Sequence, residues 1–318
     1  MNDMDGCLAM FPGQGSQRPG MAAHLISHHP AARRLFAEAD DVLGIPLAQI
    51  CTGSTKEELA RTEVTQPAIA ATSIAVWTVL RAAGYQPAAV AGHSLGEYPA
   101  LVAAGVLSLE SALRLVQLRG RLMGEAGRTA PGAMAAVIGL GAGQVEQICA
   151  AQSSGLVTVA NFNEPLQTVV SGEVGAVAEV SRGALEAGAE RVVPLDVSAP
   201  FHSPLMAAVE EEFAATLVRH EFKAPQLPVI SSVTGGYVRD GAEARELLRR
   251  QLTEPVRWVE VLRTAAKHPV NGYTEIGPGR VLGGLARRTL DEPDTRSTGD
   301  QRRLGALIGA LSAAPVAV

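Results

Sequence analysis

Hydrophobic positions change their spacing several times along the chain, and each change marks an element. Residues 7–11, Cys-Leu-Ala-Met-Phe, form a short apolar run that ends at Pro12-Gly13-Gln14-Gly15-Ser16, which predicts a buried strand entering a glycine-rich loop. Helical spacing follows over 31–43 and 66–83, the second carrying Ile69, Ile74, Val76, Trp77, Val79 and Leu80, with Gly44 and Gly84 as stops. A second apolar run, 88–91, predicts another buried strand, and Ser108 is placed to cap a helix over 109–123. Strand alternating with helix argues for a mostly parallel α/β sheet.

Between residues 127 and 197 the texture changes. Strands are predicted at 134–140, 156–161, 167–172 and 191–197, and helices at 143–152 and 174–187. The order βαββαβ is the ferredoxin-like pattern. It defines a small inserted domain, 128–197, inside a discontinuous large α/β domain, 1–127 and 198–318. The large domain resumes with a helix over 205–218, a strand over 227–233, a helix over 242–252 and a strand over 270–276. A charged loop, 291–303, precedes a last apolar segment, 304–311, and residues after Ala313 are expected to be disordered.

Composition narrows the classes. With 47% hydrophobic residues in 318 the chain can bury a large core. A net charge of −5 without a basic run argues against nucleic acid as partner. No uninterrupted apolar run of about 18 residues predicts a membrane span. The acidic start, Met1-Asn2-Asp3-Met4-Asp5, is unlike a signal peptide, so a cytoplasmic location is expected. Cys7, Cys51 and Cys149 are odd in number and far apart, which suggests neither a disulfide framework nor a zinc site.

Chemistry enters at Gly92-His93-Ser94-Leu95-Gly96, between the predicted strand and a small-residue segment able to form a helix. A Gly-x-Ser-x-Gly elbow exposes its serine on a tight strand-to-helix turn, and the glycines remove β-carbons where the two elements approach. Ser94 is the candidate nucleophile of a hydrolase-like large domain, and His93 beside it should point away. The loop after the first strand lacks a third glycine, Arg18 standing in its place, and there is no Gly-Lys-Ser/Thr, so nucleotide binding is a poor reading. It still offers backbone N–H groups at a strand end, where an open sheet binds its ligand. Of seven histidines, His24, His28, His29, His220 and His268 sit in polar surroundings, which leaves His202 as the best-placed general base. On a helical projection of 109–123, Ala112, Leu115, Val116, Leu122 and Met123 share one side, and Arg119 falls in its middle. A buried arginine needs an anion, either an internal Asp or Glu or a substrate carboxylate, unless its head snorkels past the apolar face. Asn161 and Asn163, before Pro165, read as turn asparagines.

These signals together resemble the malonyl-coenzyme A:acyl carrier protein transacylases, over nearly the full length. The residues are Gly13-Gln14-Gly15-Ser16-Gln17, Gly92-His93-Ser94-Leu95-Gly96-Glu97-Tyr98, Arg119, Ala160-Asn161-Phe162-Asn163, Pro200-Phe201-His202-Ser203 and Gln251. The resemblance implies a ping-pong transfer: His202 deprotonates Ser94, a malonyl-serine ester forms as coenzyme A leaves, and a carrier protein's phosphopantetheine thiol takes the acyl group. Backbone N–H groups of Gln14 and Leu95 would hold the oxyanion. Arg119 would clamp the malonyl carboxylate, and Gln251 would orient His202 through its backbone carbonyl. Phe201, Gln251 and Asn163 would contribute to the substrate site. Phe201 would also fill the space an α-methyl needs, favouring malonyl over methylmalonyl. Partners would be malonyl-coenzyme A, as a substrate, and the carrier protein, with no cofactor, no metal and a monomeric enzyme.

Four rivals share parts of this pattern. An ordinary esterase would pair the elbow with an acid and a histidine near the C-terminus, offering Asp240 and His268. A hydrolase clearing acyl groups from carrier proteins would use water as acceptor and has no need of a carboxylate clamp. A transferase with a different acyl donor, or a non-catalytic docking module, completes the set.

Overall fold

The computed structural model describes residues 6–197, 199–268 and 270–313. The acidic N-terminal pentapeptide, Ser198 at the expected domain boundary and the segment after Ala313 lie outside the described residues.

The first part of the chain runs β1 (Leu8–Phe11), α1 (Ala23–His28), α2 (Pro30–Leu43), α3 (Leu47–Gly53), α4 (Lys56–Ala60), α5 (Thr62–Ala82), β2 (Ala89–Gly92), α6 (Glu97–Ala103) and α7 (Leu109–Thr129). The inserted part is β3 (Ala133–Ile138), α8 (Ala142–Ala151), β4 (Val157–Glu164), β5 (Gln167–Gly172), α9 (Val174–Glu186) and β6 (Arg191–Pro194). The return comprises α10 (Ala207–Leu217), β7 (Val229–Ile230), α11 (Gly241–Arg250), α12 (Trp258–Ala266), β8 (Tyr273–Glu275), α13 (Val281–Thr289), β9 (Thr295–Ser297) and α14 (Gln301–Ala313).

Five strands form a parallel sheet in the order β7-β2-β1-β8-β9. β1 and β2 are short and fully buried because helices cover both faces, as their continuous apolar runs require. Leu8, Met10, Ala89 and Ala91 pack on one side with Trp258, Val261 and Leu262 of α12. Ala9, Phe11 and Val90 pack on the other with α5 and α7. Gly44 caps α2 in the left-handed region at φ 64°, and Ser108 caps α7 by accepting from the Ser111 N–H at 3.1 Å.

The inserted strands form an antiparallel sheet, β4-β5-β3-β6, with the ferredoxin-like order expected. Alternation sets its two faces: Ala135 and Val137 pack under α8 and α9, whereas Met134 and Ala136 join the main core of the large domain. The small sheet is also laced to the large domain, because Phe162 N–H donates to Val256 O at 2.8 Å and Val256 N–H to Ala160 O at 2.8 Å.

Several bounds differ from expectation. α7 runs to Thr129 and α5 begins at Thr62, with Pro67 inside it. The strand expected over 227–233 is only Val229–Ile230, and the charged 291–303 loop contains the edge strand β9. β4 extends through Asn161 and Asn163 to Glu164, so these asparagines lie in a strand and not a turn.

Candidate active site

Register places the chemistry. β1 and β2 pair with Phe11 opposite Gly92, so the Pro12-Gly13-Gln14 loop and the serine elbow leave the sheet side by side. Their contact is close: His93 N–H donates to Phe11 O at 2.9 Å, and a Cβ on Gly96 would sit 2.0 Å from that same carbonyl oxygen. A Cβ on Gly92 would meet the Gly96 carbonyl at 2.0 Å. Only glycine fits at either position. Between them Ser94 takes φ 52°, a conformation that costs a non-glycine residue ~1–2 kcal/mol and that the elbow imposes.

His202 is the side chain that meets it. Ser94 Oγ–H donates to His202 Nε2 at 2.8 Å, and His202 Nδ1–H donates to the carbonyl oxygen of Gln251 at 2.7 Å, with Glu254 O at 3.2 Å. Carbonyl oxygens only accept, so Nδ1 carries the proton and Nε2 presents its lone pair to the serine. Burial, reinforced by the nearby Arg119 cation, holds the imidazole neutral by pushing its pKa down to about 3. His202 too adopts the left-handed region, at φ 56°, held in the turn before α10 where Ser203 Oγ donates to Pro200 O at 2.6 Å.

Arg119 reaches the same hydroxyl. Its Nη2 donates to Ser94 Oγ at 3.2 Å and to Gln251 Oε1 at 3.1 Å, and its Nη1 donates to Gln66 Oε1 at 2.8 Å. The residue is 1% exposed, its Nε has no hydrogen-bond partner, and its guanidinium lies 5.9 Å from the Tyr98 ring centroid. All three acceptors are neutral, so the internal ion pair that would have made this arginine structural is not what it forms. Burial accordingly pushes its pKa down. A buried cation satisfied only by amide and hydroxyl oxygens next to a serine hydroxyl has the chemistry to receive an anionic group.

These groups open on a cavity of about 410 Å³, lined by Ser94, His202, Arg119, Gln14, Leu95 and Phe201 among others. Two expected substrate contacts are corrected. Asn163 does not line the cavity; its Oδ1 accepts at 2.9 Å from Nε2–H of His93, which is itself in the wall, as is Asn161. The Gln251 carboxamide does not line it either, and binds Arg119 instead. Gln66 was not anticipated; a fully buried amide opening an otherwise apolar helical segment was the available signal. The esterase partners are not brought to the site: Asp240 caps α11 by accepting from Glu243 N–H at 2.8 Å, and His268 meets Tyr237 edge to face with ring centroids 5.0 Å apart.

The acyl transferase domain family matches residues 10–311. A malonyl CoA-acyl carrier protein transacylase of Salmonella typhimurium is 41% identical over 284 residues, which are 89% of this chain and 92% of that protein. The chain belongs to the malonyl-CoA:acyl carrier protein transacylase family. Solved structures of the family superpose over the whole fold. An acyl carrier protein S-malonyltransferase from Vibrio cholerae aligns with a TM-score of 0.91 at 42% identity, covering 95% of this chain and 100% of that one. A malonyl-transacylase solved in complex with a type II polyketide synthase acyl-carrier protein aligns with a TM-score of 0.92 at 40% identity, covering 96% and 99%. A transacylase therefore accounts for the hydrolase-like elbow without an esterase's acid.

Proposed function

We infer that this chain moves a malonyl group from malonyl-coenzyme A to the phosphopantetheine thiol of an acyl carrier protein, through an ester on Ser94. The observation that carries the reading is Arg119, a buried guanidinium with no carboxylate in ion-pair contact among the described residues, 3.2 Å from the nucleophilic oxygen. A three-carbon diacid ester on that oxygen brings its free carboxylate to a preplaced cation, which an acetyl or long-chain acyl group would leave unpaired.

In the loading half-reaction Ser94 Oγ attacks the thioester carbonyl carbon while its proton passes to His202 Nε2. The negative charge gathers on the carbonyl oxygen, where backbone N–H groups of Gln14 and Leu95, both in the cavity wall, act as the oxyanion hole. Collapse expels the coenzyme A thiolate, which takes the proton back from the imidazolium. The second half runs in reverse: His202 deprotonates the carrier thiol, the thiolate attacks the ester, and Ser94 is regenerated. Gln251 replaces the acid of a hydrolase triad by its main-chain carbonyl, which fixes the tautomer but stabilises the imidazolium less than a carboxylate does. No step draws on a cofactor. Phe201, 6% exposed in the wall, is the bulky side chain that would fill the space an α-methyl needs, which favours malonyl over methylmalonyl.

No described helix is long and apolar enough to cross a membrane, and Cys7, Cys51 and Cys149 are all buried. The test is to mix the protein with labelled malonyl- or acetyl-coenzyme A, with and without a phosphopantetheinylated carrier protein. Malonyl should load on Ser94 and leave only when the carrier is added. Equal loading from acetyl-coenzyme A, or rapid release to water, would overturn the transferase reading.

A further inference from the structure

Behind Arg119 the site holds a second buried charge-bearing residue that the reaction does not touch. Glu97, three residues after the nucleophile, is 1% exposed, and its Oε2 accepts from Gln251 Nε2 at 2.6 Å and from Ser232 Oγ at 2.7 Å. Gln251 Nε2 also donates to the main-chain carbonyl of Ser94 at 3.1 Å, while Gln251 Oε1 accepts from Arg119. One fully buried carboxamide thus touches the substrate clamp and the nucleophile elbow, and its backbone holds the base.

We propose that Glu97 is a positioning residue that acts through Gln251 to hold Arg119 in place for the malonyl carboxylate. Side-chain chemistry makes the arrangement one-directional. A guanidinium only donates and a carboxylate oxygen in this role accepts, so the Gln251 amide can lie only with its oxygen toward Arg119 and its nitrogen toward Glu97 and the Ser94 carbonyl. Without an acceptor of the right reach at position 97, the amide nitrogen loses its shortest bond and the amide is free to turn. Its oxygen then leaves Arg119, whose head regains freedom next to the site of the ester. Ser232, on the segment after β7, fixes Glu97 in turn, so clamp geometry is supported from the sheet and not from the cavity. Burial pushes the Glu97 carboxyl above its usual range, which fits a residue needed as an acceptor more than as a negative charge.

The inference rests on the malonyl-transfer reading and is separated from it by two variants of opposite kind. E97Q keeps the length and an acceptor oxygen but removes the charge; E97D keeps the charge but withdraws the acceptor by ~1.5 Å, one carbon–carbon bond. Loading of Ser94 from malonyl- and from acetyl-coenzyme A is measured for both, with KM and kcat resolved and folding checked by thermal melting. E97D should raise the KM for malonyl-coenzyme A and cut the malonyl-to-acetyl preference about tenfold, the worth of one hydrogen bond to a charged group, while E97Q stays within about threefold of the parent protein. The converse result, selectivity kept by E97D and lost by E97Q, would show a counter-charge and overturn the proposal. Equal losses for malonyl and acetyl in E97D, or no change in its preference, would overturn it as well. Failure of the parent protein to load malonyl at all would strike the transfer reading instead.

Discussion

His202 Nδ1 donates its proton to the main-chain carbonyl of Gln251, 2.7 Å away, where a hydrolase triad would place a carboxylate. The imidazole is therefore oriented without being charged-paired, and the Arg119 cation on its other side opposes protonation. With its pKa pushed down to about 3 from 6.5, the base is neutral at every pH well above 3 and lost only as pH falls through that value. The rate of malonyl loading should show no acidic limb between about pH 8 and about pH 5, where an ordinary histidine loses most of its neutral form. Single-turnover loading across that range checks it. His202→Ala should slow loading by about 10²–10⁴ at all these pH values.

Arg119→Ala removes the clamp and leaves Gln66 Oε1 and Gln251 Oε1 without their shared donor. Malonyl loading should fall about 10- to 100-fold relative to acetyl loading, as expected for a lost charge-assisted pair. Parallel loading assays decide it, and an equal loss for both substrates would make the arginine structural.

Phe201 sits 6% exposed in the cavity wall. Phe201→Ser should raise the methylmalonyl-to-malonyl ratio about tenfold, within the ~1–3 kcal/mol that one methylene can decide. The vacated core volume should also lower the melting temperature, so competition assays with the two thioesters are run well below it.

Gly96→Ala places a Cβ 2.0 Å from Phe11 O, and neither backbone can yield without breaking the β1–β2 register. A stability loss of ~2 kcal/mol or more should accompany loss of Ser94 acylation. Denaturant melts and a serine-reactive fluorophosphonate probe measure the two effects, and a folded variant that labels normally would refute the packing argument.

The alternation of strand and helix, the elbow, and the isolated position of Arg119 on an apolar helix side were legible because each is encoded within a short stretch of chain. What was not legible depends on convergence across long separations. Gln66 and Gln251 meet at one guanidinium from positions 53 and 132 residues away from it, and nothing local to either marks them as partners. Asn161 and Asn163 show a subtler failure. Two residues apart on a regular strand they would share a face, but β4 has register shifts between Val159 and Asn161 and between Phe162 and Glu164, so one enters the cavity wall and the other meets His93. Edge strand β9 escaped because its three residues are all half-buried and carry no apolar signal.

The two backbone bonds that join β4 to Val256 lie just past the stretch whose Gln251 and Glu254 carbonyls accept from His202 Nδ1. Orientation of the base is thus a joint property of both sheets. A large domain stripped of its insertion would lose more than one wall of the cavity: the strand that anchors the carbonyl ladder behind the imidazole would go with it. The enzyme is accordingly indivisible at the level of a single ring tautomer, just as its main core already takes Met134 and Ala136 from the insertion.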